Sequence, residues 1–126
     1  MRKKVYCVNM NPISWNRVVK HKSTNHSSQS INKVSFGLHL NQQHNEEAPF
    51  DKPINLDIIF YLPPQQNKKF SCIYSSAPPY LSNLYKFLLE SITDLLIKDE
   101  SVICSLSLKK VYDKNPRTEI IITEVV

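Results

Sequence analysis

The chain has 126 residues, one domain's worth, with a net charge of +5 and 41% hydrophobic residues. At this length a single core takes about two-thirds of the unfolded chain's surface out of water, so a folded domain is expected rather than disorder. One count is unusual: a single glycine, Gly37, against about 7% in average proteins. Walker loops, dinucleotide fingerprints and Gly-x-Ser-x-Gly elbows all need glycines at fixed spacing, so all three are excluded.

The charge is uneven. Residues 1–45 hold seven basic residues (Arg2, Lys3, Lys4, Arg17, Lys20, Lys22 and Lys33) and no Asp or Glu, whereas residues 46–126 hold nine basic against eleven acidic. A one-sided basic segment attracts polyanions, and also simply keeps a surface solvated. The three cysteines, Cys7, Cys72 and Cys104, are widely spaced and odd in number. They read as buried free thiols in a reducing compartment. There is no apolar run long enough to span a bilayer, and Val5-Tyr6-Cys7-Val8 is too short for a signal-peptide core. A cytoplasmic protein without a membrane segment is expected.

In chain order, Val5 to Val8 is a short β-type run, ended by Asn9 to Pro12. Residues 13–30 are polar and basic and predict a mobile loop. Ile31, Val34 and Leu38 then recur at helical spacing, which predicts a helix over 29–43 with Gly37 inside it. Residues 53–62 alternate, with Ile54, Leu56, Ile58, Phe60 and Leu62 on one face, and predict a strand stopped by Pro63-Pro64. A Pro/Lys-rich loop over 63–80 carries Lys68 and Lys69. Leu84, Phe87, Leu88, Ile92, Leu95 and Leu96 share one face of a second helix, with Ser82 or Asn83 as its cap. Residues 101–112 alternate again, Val102, Cys104, Leu106 and Leu108 against Ser101, Ile103, Ser105 and Ser107. A turn at Asp113 to Pro116 leads to a last strand, Thr118 to Val126, expected to close a hairpin. The order β-α-β-α-β-β defines an α+β (mixed α/β) fold, a small mixed sheet with two helices in a single domain over 1–126.

Residue types alone offer little catalytic chemistry. His21, His26, His39 and His44 form two pairs, each five apart, without the tight Cys/His spacing of zinc sites. Carboxylates gather around the second helix: Glu90 and Asp94 four apart, Asp99-Glu100 beyond its end, and Asp57 on the preceding strand. Acids at strand and helix ends can hold Mg²⁺ for phosphodiester hydrolysis, or can simply be solvated.

From Ile54 to about Glu124 the chain resembles the RusA family of Holliday-junction resolvases. Tyr80-Leu81-Ser82-Asn83-Leu84-Tyr85-Lys86 is similar to that family's helix-start motif Asp-x-Asp-Asn-Leu-x-Lys. Lys98-Asp99-Glu100-Ser101 is similar to its Lys-Asp-Asp-Ser. Lys109-Lys110-Val111-Tyr112, then Asn115-Pro116-Arg117-Thr118-Glu119, resembles its Lys-x-Tyr and Pro-Arg-x-Glu hairpin. Asn11 to Arg17 is loosely similar to its opening Pro-x-x-x-Asn-Arg.

The resemblance implies a homodimer that binds four-way DNA junctions, each subunit holding Mg²⁺ with three aspartates beside a lysine. Carried over, two of those aspartates fall on Tyr80 and Ser82. The third falls on Glu100, with Asp99 beside it, the motif asparagine is Asn83, and the lysine is Lys86. Neutral Tyr80 and Ser82 cannot offset the positive end of a helix dipole, so Mg²⁺ affinity is expected to fall unless Asp57, Asp99 or a partner supplies acids. An anion-binding face is expected to survive, built from the helix start, Lys86, Lys68, Lys69 and the basic loop with Arg17, Lys20 and Lys22. Trp15 and Tyr80 are candidates to stack on unpaired bases. Three readings follow: a junction-binding protein impaired in cleavage, which the charge favours; an active Mg²⁺-dependent resolvase using Glu100, Asp99 and Lys86; and an interaction module that kept only the fold.

Overall fold

The computed structural model describes residues 1–15, 28–64 and 73–126. Its elements run β1 (Lys3–Val8), α1 (Ser28–His44), β2 (Ile54–Leu62), α2 (Leu81–Ile92), a single 3₁₀ turn (Glu100–Val102), β3 (Ile103–Tyr112) and β4 (Arg117–Glu124). The α+β order expected from periodicity holds, and the first helix spans its predicted range with a residue more at each end. Residues 28–30, read as the end of the basic loop, are already helical.

The four strands form one sheet in the order β1-β4-β2-β3. β4 lies antiparallel to both β1 and β2, and β2 pairs parallel with β3. The last two strands are therefore not a hairpin. The 113–116 connection passes over the end of β2, where the Asp113 N–H donates to the Leu62 carbonyl at 2.9 Å, and β4 enters on the far side. Apolar content explains the order. Ile120 and Ile122 of β4 are fully buried, and such a strand belongs in the middle of a sheet. β3, rich in Ser and Lys, is suited to an edge.

One sheet face carries the core. Tyr6, Val8, Leu56, Ile58, Phe60, Ile120 and Ile122 meet Phe36 and Leu40 of α1 and Leu84, Phe87, Leu88 and Ile92 of α2. Phe36 and Phe87 join the two helices edge to face, their ring centroids 5.8 Å apart. α1 also guards the free edge of β1: the Gln43 amide donates to the Cys7 carbonyl at 2.6 Å and accepts from the Cys7 N–H at 2.7 Å. One side chain thus does for Cys7 what a neighbouring strand would do.

β3 departs from strict alternation. Its register against β2 shifts between Ile54 and Asn55, so that Ile103 opposes Ile54 while Ser105 opposes Asn55 and Leu106 opposes Leu56. The extra residue is Cys104, and it brings Ile103 to the same side as Leu106 and Leu108. Cys104 is exposed and Cys7 half-buried, so the expectation of buried thiols fails at both. Cys72 lies outside the described residues.

α2 is shorter than its apolar face predicted. Thr93 caps it, its N–H and hydroxyl both directed to the Leu89 carbonyl, and Asp94 takes a positive φ of 71°. Leu96 and Ile97 remain fully buried beyond the helix. The chain there bonds across to Phe50, whose N–H donates to the Leu96 carbonyl at 2.7 Å and whose carbonyl accepts from the Lys98 N–H at 2.9 Å. Burial, not helical continuation, accounts for the last two leucines of the apolar stripe.

Candidate nucleic-acid interface at the start of the second helix

The start of α2 holds four of the positions singled out by sequence, Tyr80, Ser82 and Asn83 with Lys86 a turn further on. Tyr80, not Ser82 or Asn83, is its N-cap, and it caps with backbone alone: no side-chain cap hydrogen bond forms. The Tyr80 carbonyl accepts from the N–H groups of Asn83 and Leu84, both at 3.1 Å. Tyr80 is 68% exposed, Ser82 and Lys86 are exposed as well, and the turn contains no acidic residue. Leu84 is buried, because α2 turns the Leu84-Phe87-Leu88 face to the sheet and leaves Ser82 and Lys86 toward solvent, one turn apart.

Two tethers set this turn in place, and sequence reasoning missed both. Lys110 stands opposite Phe60 on β3 and so projects on the helix side of the sheet. Its ammonium donates to the carbonyls of Ala77 at 2.6 Å and Pro79 at 2.8 Å, in the segment that leads into Tyr80. The same segment is fastened to the edge of β3, where the Ser75 N–H donates to the Lys110 carbonyl and the Tyr112 N–H donates to the Ile73 carbonyl. The second tether is Trp15, whose N–H donates to the Asn83 carbonyl at 3.0 Å. Its ring lies under the Lys86 ammonium, 3.5 Å from ring centroid to Nζ. A cation over an indole at a half-exposed position contributes about 0.5–1 kcal/mol. The family-like Lys-x-Tyr stretch was the available signal for Lys110; nothing in the sequence marked the Trp15–Lys86 pairing.

The carboxylates do not gather. Glu90 pairs with Lys33 of α1 at 2.7 Å. Asp94 lies past the end of α2. Asp57 alternates with the buried residues of β2 and so lies on the sheet face away from both helices, where it accepts from the Asn55 amide at 2.8 Å. Asp99 caps the 3₁₀ turn, accepting from the Ser101 N–H at 3.1 Å, and hydrogen bonding from the Ser101 side chain and then from its N–H holds the Asp99 carboxyl below the usual range. Glu100 lines a shallow cleft with Tyr85, Ile103, Cys104, Ser105 and Leu106. Burial, and then the charge of Glu100, push the Tyr85 hydroxyl above its ordinary pKa.

Among the described residues no group of three or more His, Cys, Asp and Glu side chains is placed to hold a metal ion. The positions that the sequence resemblance sets against the family's ligands, Tyr80, Ser82 and Glu100, carry a phenol, a hydroxyl and one carboxylate. A hard cation such as Mg²⁺ calls for several carboxylate oxygens in near-octahedral array, so these residues do not fit it. Of the DNA-contact candidates, Arg17, Lys20, Lys22, Lys68 and Lys69 lie outside the described residues, as do His21 and His26. His39 is exposed and His44 buried, the latter an outcome the spacing of the histidines did not suggest.

A second cluster occupies the open sheet face. The Arg117 guanidinium stacks on the Tyr61 ring 3.6 Å from its centroid and bonds Glu119 at 3.1 Å, while the Tyr61 hydroxyl donates to Glu119 at 3.1 Å. Asp113 completes it, 3.5 Å from Arg117. This is the Pro-Arg-x-Glu stretch, and its charges pair with one another.

A small mixed sheet covered on one face by two helices, the second with an acid-free first turn and Lys86 one turn on, defines an α+β domain. Residues 10–123 match the model of a family described as endodeoxyribonuclease RusA. The chain belongs to the RusA endodeoxyribonuclease family. It is also similar to an uncharacterized protein, YqaN, of Bacillus subtilis (strain 168), 25% identical over 93 residues that cover 66% of each chain. Among the described residues no helix is long and apolar enough to cross a membrane.

Proposed function

We propose that this protein binds branched DNA, four-way junctions in particular, through the start of α2, and that metal-dependent cleavage has been lost from it. The observation that carries this reading is the first turn of α2. It has no acid, an exposed Tyr80 and Ser82 where the family has aspartates, and a lysine one turn further on. The helix dipole and Lys86 add like charge, which attracts phosphate and repels a cation. The family supplies the substrate class, and the net charge of +5 supplies long-range attraction to it.

The rival reading of an active Mg²⁺-dependent enzyme needs Asp99 and Glu100 as joint ligands. Asp99 is already committed to the Ser101 N–H, and Asp57 is on the wrong face of the sheet. In this proposal the protein acts as a cytoplasmic homodimer, so that two copies meet two arms of a junction.

The test is binding of a labelled synthetic four-way junction, measured by anisotropy against plain duplex over a series of salt concentrations. The expected result is preference for the junction, with affinity falling steeply and linearly in log salt, by roughly 0.9 log units per decade for each phosphate neutralised. Equal affinity for junction and duplex at physiological salt would leave the fold without this function, and would favour a module that meets another protein instead.

A further inference from the structure

Trp15 is the one tryptophan of the chain, and phosphate attraction makes no use of its ring. The backbone bond to Asn83 holds it against the first turn of α2, and part of it packs on the margin of the core. Its outer face is capped by the Lys86 ammonium, 3.5 Å from the centroid. Glu90 is already paired with Lys33, so the described ion pairs leave the Lys86 charge to the indole alone.

An indole face that draws a cation also accepts another π-system in offset stacking. The lysine above it ends a flexible stem with three donors, so its ammonium can leave the ring for a phosphate oxygen at little cost. Bases inside a duplex present no free face; an unpaired base at a branch point does. We propose that the indole face now covered by Lys86 is the seat of an unpaired base, with Lys86 exchanging the ring for that nucleotide's phosphate as the base stacks. This rests on the branched-DNA reading and adds a selection to it: among branched substrates, those with an unpaired base at the junction bind most tightly.

The experiment uses two readouts on the full chain. One is the emission of Trp15 itself, which has no other tryptophan to confuse it. The other is 2-aminopurine placed as an unpaired base at the branch of a synthetic flap or junction. Saturating DNA is expected to quench both. Trp15→Ala is expected to bind the unpaired-base substrate roughly tenfold more weakly, the loss typical of one base–aromatic stack, and to lose most of the wild type's preference for that substrate over a fully paired junction. Trp15→Phe keeps a ring and is expected to fall between the two, which covers the case in which the alanine variant does not fold.

Unchanged Trp15 and 2-aminopurine emission with the DNA fully bound would overturn the base seat while leaving junction binding intact. Failure to bind any branched DNA would remove the base seat and the proposed function together.

Discussion

Replacing Lys110 with methionine separates a charge tether from simple packing. Methionine keeps an apolar stem along β3 and deletes the two bonds, at 2.6 and 2.8 Å, to the carbonyls of Ala77 and Pro79. A hydrogen bond from a charged donor contributes about 1.5–3 kcal/mol when fully desolvated. Lys110 is half-buried, and water can replace part of what is lost, so about 2 kcal/mol for the pair is the expected cost. With a urea dependence of about 2 kcal/mol per molar, the unfolding midpoint followed by circular dichroism should drop by about 1 M. The loss should also be local. Tyr80 sits directly after the tethered segment and accepts from the Leu84 N–H, so amide exchange at Leu84 should quicken more than at Ile120 in the sheet centre. Lys110→Arg, which restores donors, should recover most of the stability. A midpoint within about 0.2 M of the wild type, with Leu84 exchange unchanged, would refute the assignment of Lys110 as the tether of this turn.

Gly37→Ala should stabilise the protein. The glycine lies inside α1, a Cβ there meets nothing within 4 Å, and alanine favours a helix interior by about 0.5–1 kcal/mol; a fall in the urea midpoint would mean that α1 packs differently. Leu88→Ala, at a side chain 1% exposed between α2 and the sheet, should cost about 2–5 kcal/mol, and a cost below about 1 kcal/mol in the same assay would place α2 off the core. His44 gives a pH dependence. It is 2% exposed, its Nδ1 meets the Tyr6 hydroxyl at 2.7 Å, and its Nε2 has no hydrogen-bond partner among the described residues. Burial, helped by the charges of Arg2 and Lys4, lowers its pKa from 6.5 against the smaller opposing effect of Glu47. The unfolded chain therefore takes up the proton first as pH falls, so this contribution to stability is complete above pH 6.5 and declines below it. A histidine NMR titration with a His44 midpoint at or above 6.5 would contradict the burial argument.

Much of the fold was legible because periodicity reports burial directly. The alternation of β2 has one apolar face, and that face is buried. The spacing of Ile31, Val34 and Leu38 located α1 but named the wrong face: Val34 is 64% and Leu38 57% exposed, and Phe36 and Leu40 are the residues turned to the core. Strand order was harder to read. The short turn at Asp113 to Pro116 favours a hairpin locally, whereas the run Ile120-Ile121-Ile122 is satisfied only in the sheet centre, and the second demand prevails. Local pattern was equally blind to the end of α2: Leu95 and Leu96 continue the helical stripe on paper, but Thr93 and Asp94 end the helix and the bridge to Phe50 takes up the next residues. At the site, the residue-by-residue resemblance located the exposed first turn of α2. It said nothing of Trp15 over Lys86 or of Lys110 under Ala77 and Pro79, because both contacts join residues 31 or more positions apart through side-chain reach. Asp57 illustrates a further limit: it lies on the strand preceding α2 and was grouped with that helix's acids, but its alternation in β2 puts it on the sheet face away from the helices.

Cleavage of a synthetic four-way junction, measured in Mg²⁺ and in Mn²⁺ with the wild type beside Tyr80→Asp/Ser82→Asp, tests the central claim most directly. Two carboxylates added at the start of α2, near Lys86 and in the same fold as Glu100, supply the acids that the sequence resemblance expects there. The account predicts that the wild type binds the junction and leaves it whole, and that the double variant cuts it in a metal-dependent way. Metal-dependent cutting by the wild type, lost on Glu100→Gln, would contradict it.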